Sequence, residues 1–156
     1  MSKPVAIGSD EAGYRLKALL IEVLHEEGLE VADFGCHSED PVDYPDVAFA
    51  LAEAVARGDH DRGILICGTG IGMSISANKV PGVRAAQAHD AYSAERARKS
   101  NDAQVLALGA RVIGPELAKS IVRTWLQAEF AGGASARKVG KINAADDALR
   151  GARRTA

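Results

Sequence analysis

The chain has only two cysteines among its 156 residues, Cys36 and Cys67, and they form neither a CxxC pair nor a metal-ligand spacing. That scarcity excludes a disulfide framework and points to a reducing, cytoplasmic setting where a free thiol can act as a reagent. An excess of one charge is missing too. The formal net charge is −2, which gives no reason to expect a nucleic-acid partner. No apolar run reaches the length of a membrane span, and the N-terminal residues lack a signal-peptide pattern, so neither a membrane nor an exported context is expected. No internal repeat, low-complexity block or interdomain linker is visible. What remains is an ordinary globular balance of 47% apolar and 26% charged residues. This length fits one domain over residues 1–156, large enough to bury about two-thirds of its unfolded surface without a metal or disulfide.

Hydrophobic periodicity supplies the elements. Val5-Ala6-Ile7, closed by Gly8, reads as a buried strand. From Leu16, the apolar positions Leu19, Leu20, Val23 and Leu24 follow helical spacing up to Gly28. Val31–Phe34 reads as a second strand and residues 36–46 as a loop, and a helix carrying Val47, Leu51, Ala54 and Val55 stops at Gly58. Gly63–Cys67 is the most hydrophobic stretch, followed by glycines at 68, 70 and 72 and a helix over roughly 72–79. Residues 83–86 and 105–108 are two further strands around a helical segment at 93–99. A last long helix carries Leu117, Ile121, Val122, Trp125 and Leu126 on one face. Beyond Gly132-Gly133 the tail is polar and partly basic, with a short helix near 143–150. Alternating strands and helices predict an α/β fold, a five-stranded parallel sheet covered on both faces. In such a sheet the strand C-termini share one edge, where ligands bind.

Three polar or glycine-rich segments fall at that edge: Gly8–Gly13, Cys67–Gly72 and His89–Tyr92. A cysteine leaving a buried strand for a glycine loop and a helix sits where backbone N–H groups favour the thiolate and can hold an anion. The loop is neither a Walker sequence nor GxGxxG, so nucleotide binding is weakly indicated. By itself Cys67 reads equally well as an inert buried thiol or as a reagent. Asp10 reads as a helix cap that can also bind a hydroxyl, Tyr44 as a turn residue or ligand contact, and His37, His89, Cys36 and Trp125 as surface or packing residues.

Four segments carry a family resemblance: GSDEAG at the N-terminus, DYPD at 43–46, GILICGTGIGMSISANK at 63–79 and VLALGARVIGPELA at 105–118. In this order and spacing, from residue 4 to about 142, they resemble the ribose-5-phosphate isomerase B/LacAB sugar-phosphate isomerases. The resemblance implies a Rossmann-like α/β/α sandwich, a homodimer or tetramer with sites at the subunit interface, and aldose–ketose isomerisation with neither metal nor nicotinamide. The C-terminal tail from about 131 would pack on a partner subunit. The thiolate matching Cys67 would move a proton between C1 and C2 through a cis-enediolate, and Asp10 would contact sugar hydroxyls. Thr69 and the backbone of Gly68, Gly70, Ile71 and Gly72 would steady the enediolate oxygens, with Tyr44 and Asn101 lining the site.

The departures concern the choice of sugar. Glu11 stands where well-known members have histidine, and Ser100 stands where they carry the histidine credited with opening the furanose ring. Ala134 replaces one phosphate-binding arginine, leaving Arg137 and Lys138 nearby. Glu11 would repel a phosphate placed beside it, or accept sugar hydroxyls instead. A tetrose 4-phosphate cannot close a furanose ring, so it would not need the lost acid. The expectation is therefore a small phosphorylated sugar, with a tetrulose phosphate as the alternative to ribose 5-phosphate. A non-catalytic sugar-phosphate-binding subunit is the competing class.

Overall fold

Val5–Ser9 (β1), Gly63–Cys67 (β3) and Val105–Gly109 (β5) are buried at every position, as strands covered on both faces must be. In the computed structural model, which describes residues 3–155, they form the centre of one parallel sheet. The shorter strands Val31–Asp33 (β2) and Ala85–Gln87 (β4) close its two sides, in the order β2-β1-β3-β5-β4. Alternation along each strand sorts the core into two layers. Val5, Ile7, Ile64, Ile66, Leu106 and Leu108 face Tyr14–Glu26 (α1), Ala91–Lys99 (α4) and Pro115–Gln127 (α5). Ala6, Leu65, Cys67, Val105 and Ala107 face Tyr44–Ala56 (α2) and Ile71–Ala77 (α3). The expected α/β/α sandwich is present.

Several boundaries differ from the sequence expectation, each for a local reason. The loop before α2 ends at Asp43, because Pro45 fits the first helical turn, where no amide donor is needed. The fourth strand begins at Ala85, since Val83 is drawn into the second core layer and Arg84 gives its N–H to the side chain of Gln104. Leu117 is largely exposed and Ala118 takes its place in the α5 stripe. The expected short helix near 143–150 is a 22-residue helix, Ala134–Thr155 (α6), of which only Val139 is buried. Its weak apolar patterning hid its length.

One buried cation holds the second half of the fold together. Arg62, 3% exposed, donates to the carbonyls of Trp125, Leu126 and Ala128 at 2.7, 3.1 and 2.9 Å. These carbonyls belong to the last turn of α5 and to its C-cap Ala128, and have no partner within the helix. The same guanidinium lies 5.3 Å from the Trp125 ring. Arg62 thus fixes α5 against the N-terminal edge of the sheet.

Candidate active site

The strand order reverses between β1 and β3, so the chain ends leaving these two strands diverge and open a crevice. Asp10 leaves β1 and Cys67 ends β3, and both line that crevice, a cleft of about 390 Å³. Tyr44, Gly68, Thr69, Ile71 and Gly72 line it as well, all of them expected from the sequence. Gly70 shapes it from behind. Its φ of +78° suits glycine, and a Cβ there would lie 2.9 Å from the Leu108 carbonyl carbon. Gly72 leaves the slot that the Tyr44 ring fills, since a Cβ would lie 2.4 Å from Tyr44 Cζ.

Cys67 is 4% exposed, and its Sγ accepts the Gly70 N–H at 3.1 Å. Thr69 Oγ1 accepts the Ile71 N–H at 3.2 Å, which leaves the hydroxyl proton free to donate. Among the described residues, no protein acceptor meets the N–H of Gly68, Thr69, Gly72 or Met73. Because α3 has only seven residues, these local donors rather than a long macrodipole supply the positive potential beside the sulfur. Asp10 is 8% exposed and accepts the Gly13 N–H at 3.1 Å, so it does cap the turn that follows β1. Burial pushes its carboxyl above the usual range, with the Gly13 N–H acting in the opposite direction.

Two residues in the cleft escaped the sequence reading, Ile75 and Arg111. Arg111 follows β5, and a Cβ at Gly68 would lie 3.3 Å from its Nη1, so the guanidinium packs over the glycine loop. A charged residue directly after a buried strand at this sheet edge is the signal that could have found it. Glu11 does not line the cleft. Its carboxylate accepts the Val42 N–H at 3.1 Å, and that bond holds the group below the usual carboxylate range. The bond ties the turn after β1 to the loop that delivers Tyr44. His89 Nε2 accepts the Gly109 N–H at 3.0 Å, so in the neutral ring the proton sits on Nδ1.

The remaining expected site residues lie elsewhere. Helix α4 runs antiparallel to the strands it connects, so Ser100 and Asn101 at its end reach the N-terminal edge of the sheet. A five-residue strand separates the two edges by roughly 16 Å. Arg96 donates to Ser100 Oγ, and Arg84 Nε binds the carbonyls of Asn101 and Asp102 at 3.1 and 3.2 Å. Helix α6 docks at the same edge, through Arg84 to Asn143 at 2.9 Å and the Gly82 N–H to Asp146 at 2.9 Å. Arg137 and Lys138 sit exposed in its early turns. Within one chain, therefore, Ser100, Asn101, Arg137 and Lys138 do not meet Cys67.

Known proteins share this arrangement over nearly the full length. Residues 5–142 match the family model described as Ribose/Galactose Isomerase. The D-erythrulose-4-phosphate isomerase of Pectobacterium atrosepticum is 61% identical over 140 residues, covering 88% of this chain and 91% of that protein. Ribose-5-phosphate isomerase B of Escherichia coli is 49% identical over 142 residues, covering 91% and 95%. Among solved structures, ribose-5-phosphate isomerase B of Clostridium thermocellum superposes with a TM-score of 0.92 at 53% identity, over 94% of this chain and 99% of that one. With the family model, the sequence identities and the fold all in agreement, the chain belongs to the ribose/galactose isomerase family.

Proposed function

We propose that this chain is an aldose–ketose isomerase of a small phosphorylated sugar, with Cys67 as the base. The observation that carries this reading is the placement of Cys67 Sγ at the end of β3, against the Gly70 N–H and in one cleft with Asp10. A thiolate there takes the proton from the carbon beside the carbonyl, and the electron pair moves onto the carbonyl oxygen. The free N–H groups of the 68–72 loop and the Thr69 hydroxyl suit the resulting enediolate oxygens. The thiol then returns its proton to the neighbouring carbon while the hydroxyl proton passes between the two oxygens. Asp10 accepts hydroxyls of the chain, and Arg111 offers the fixed charge for the phosphate. The expectation of no metal or nicotinamide cofactor belongs to the same reading.

The split of the expected residues between two sheet edges supports a homodimer or tetramer, in which the Ser100–Asn101 end and the Arg137–Lys138 turn of one chain complete the cleft of another. Ile71 and Ile75 beside the cleft are 51% and 57% exposed, and Ile142 and Leu149 on α6 are 49% and 67% exposed. Such apolar side chains suit a covered surface. No described helix is long and apolar enough to cross a membrane, and the free cysteines suit a cytoplasmic enzyme.

A tetrulose phosphate is the second reading of the substrate, favoured by the Arg96–Ser100 bond. A serine hydroxyl that accepts from a guanidinium donates its own proton in a hydrogen bond but is no acid for ring opening. An open-chain sugar needs none. Solvent exchange of the C1 and C2 protons, followed with tetrose, pentose and hexose phosphates, tests these points together. Cys67→Ser, with its fold intact, is expected to lose exchange by a factor of about 10² or more. Retained exchange would overturn the base, and a clear preference for ribose 5-phosphate would overturn the tetrulose reading. A wild-type chain that binds these sugars without exchange is a binding subunit.

A further inference from the structure

The peptide unit between Thr69 and Gly70 makes a hydrogen bond at each end. Its N–H donates to Cys67 Sγ at 3.1 Å, and its carbonyl accepts Gln87 Nε2 at 2.7 Å. A trans peptide holds these two groups antiparallel in one plane, so whatever turns the carbonyl turns the N–H with it. The neighbouring carbonyls are held by main chain alone: Cys67 O by the Ala110 N–H, Gly68 O by the Arg111 N–H and Gly70 O by the Ser74 N–H. Among the described residues, Gln87 is the only donor to the Thr69 carbonyl. It ends β4, an exposed position on an edge strand that packing does not oblige to be glutamine.

We infer that Gln87 is a positioning residue for the catalytic thiol: by holding the Thr69 carbonyl it aims the Gly70 N–H at Cys67 Sγ and favours the thiolate. The inference rests on Cys67 as the base. A donor on the carbonyl polarises the peptide and strengthens the N–H bond at its other end. A hydrogen bond to the charged form in turn favours that form. Had Gln87 served only to blunt the sheet edge, any polar side chain would do as well.

The test measures iodoacetamide alkylation of the full protein against pH, followed at the Cys67 peptide by mass spectrometry, beside steady-state kinetics. Gln87→Met keeps the length without a donor, Gln87→Glu replaces the donor by an acceptor, and Gln87→Lys restores a donor. Met and Glu are expected to move the half-rate pH upward by about half a unit or more. They also lower kcat about three- to tenfold with KM within about twofold. Lys returns both quantities toward wild type. Met and Glu variants that match wild type in midpoint and kcat would overturn the inference. A wild-type chain that isomerises no sugar phosphate, with the alkylation shift still present in the Met and Glu variants, would sink the isomerase reading and leave the peptide-plane coupling standing.

Discussion

Asp10 answers two demands with one carboxylate, capping the Gly13 N–H and lining the cleft, and it answers them while buried. Burial raises its pKa above that of the unfolded chain, so its ionised form weakens the fold. By linkage, its contribution to stability is fully present below the unfolded value and is lost as pH rises through the folded value. Asp10→Asn keeps the acceptor for Gly13 and removes the buried charge. Thermal unfolding is expected to show Tm raised by about 1–3 °C at neutral pH, with the gain vanishing in acid below the carboxylate range. The same variant should lose about tenfold or more in kcat/KM, since a neutral amide is the weaker partner for sugar hydroxyls. An equal Tm gain at both pH values would show that desolvation of the charge is not the cause. The capping role of Asp10 was legible in the sequence because capping is a local pattern. The bond of Glu11 to Val42 was not, as it spans a loop whose path no local pattern sets.

At the scale of elements, the turn from β3 into α3 is where fold and chemistry meet. Gly70 needs its positive φ, and the loop presses on the β5 backbone. Gly70→Ala should cost about 2–4 kcal/mol in urea unfolding and more than about tenfold in kcat, even where the protein still folds. A variant as stable as wild type would show that the turn is not held there. The buried strands and the amphipathic helices α1, α2 and α5 could be read in advance, because each carries its period or apolar run within a short window. The length of α6 could not, since its residues read as polar tail and its bonds run back to Gly82, Arg84 and Lys79. Arg62 was equally hidden. Nothing near it in sequence announces that α5 ends beside its guanidinium.

For the whole molecule, the distribution of the expected site residues matters most. The residues at the C-terminal edge of the sheet line the cleft, and Ser100, Asn101, Arg137 and Lys138 stand at the other edge. If, as proposed, a second chain brings these residues to the cleft, two defective variants should repair one another. Cys67→Ser and the double variant Arg137→Ala/Lys138→Ala, each poorly active alone, are expected to yield about a quarter of wild-type activity when co-expressed, because half the dimers are mixed and one of their two sites is intact. Activity equal to the sum of the separate variants would place each site within a single chain. Which residues could belong to a sugar-phosphate site was legible from the segments they sit in. That they divide between edges was not, since the antiparallel course of α4 and the docking of α6 reveal it.

The Arg96–Ser100 bond bears on how such an enzyme changes its diet. Under the shared-site arrangement, a gene that alters the Ser100 end alters every pocket of the oligomer from across the subunit boundary, while the proton-transfer loop stays untouched in its own chain. New sugars could then be tried by mutating the part of the shared pocket that lies outside the proton-transfer loop, so the reaction is kept while the substrate varies.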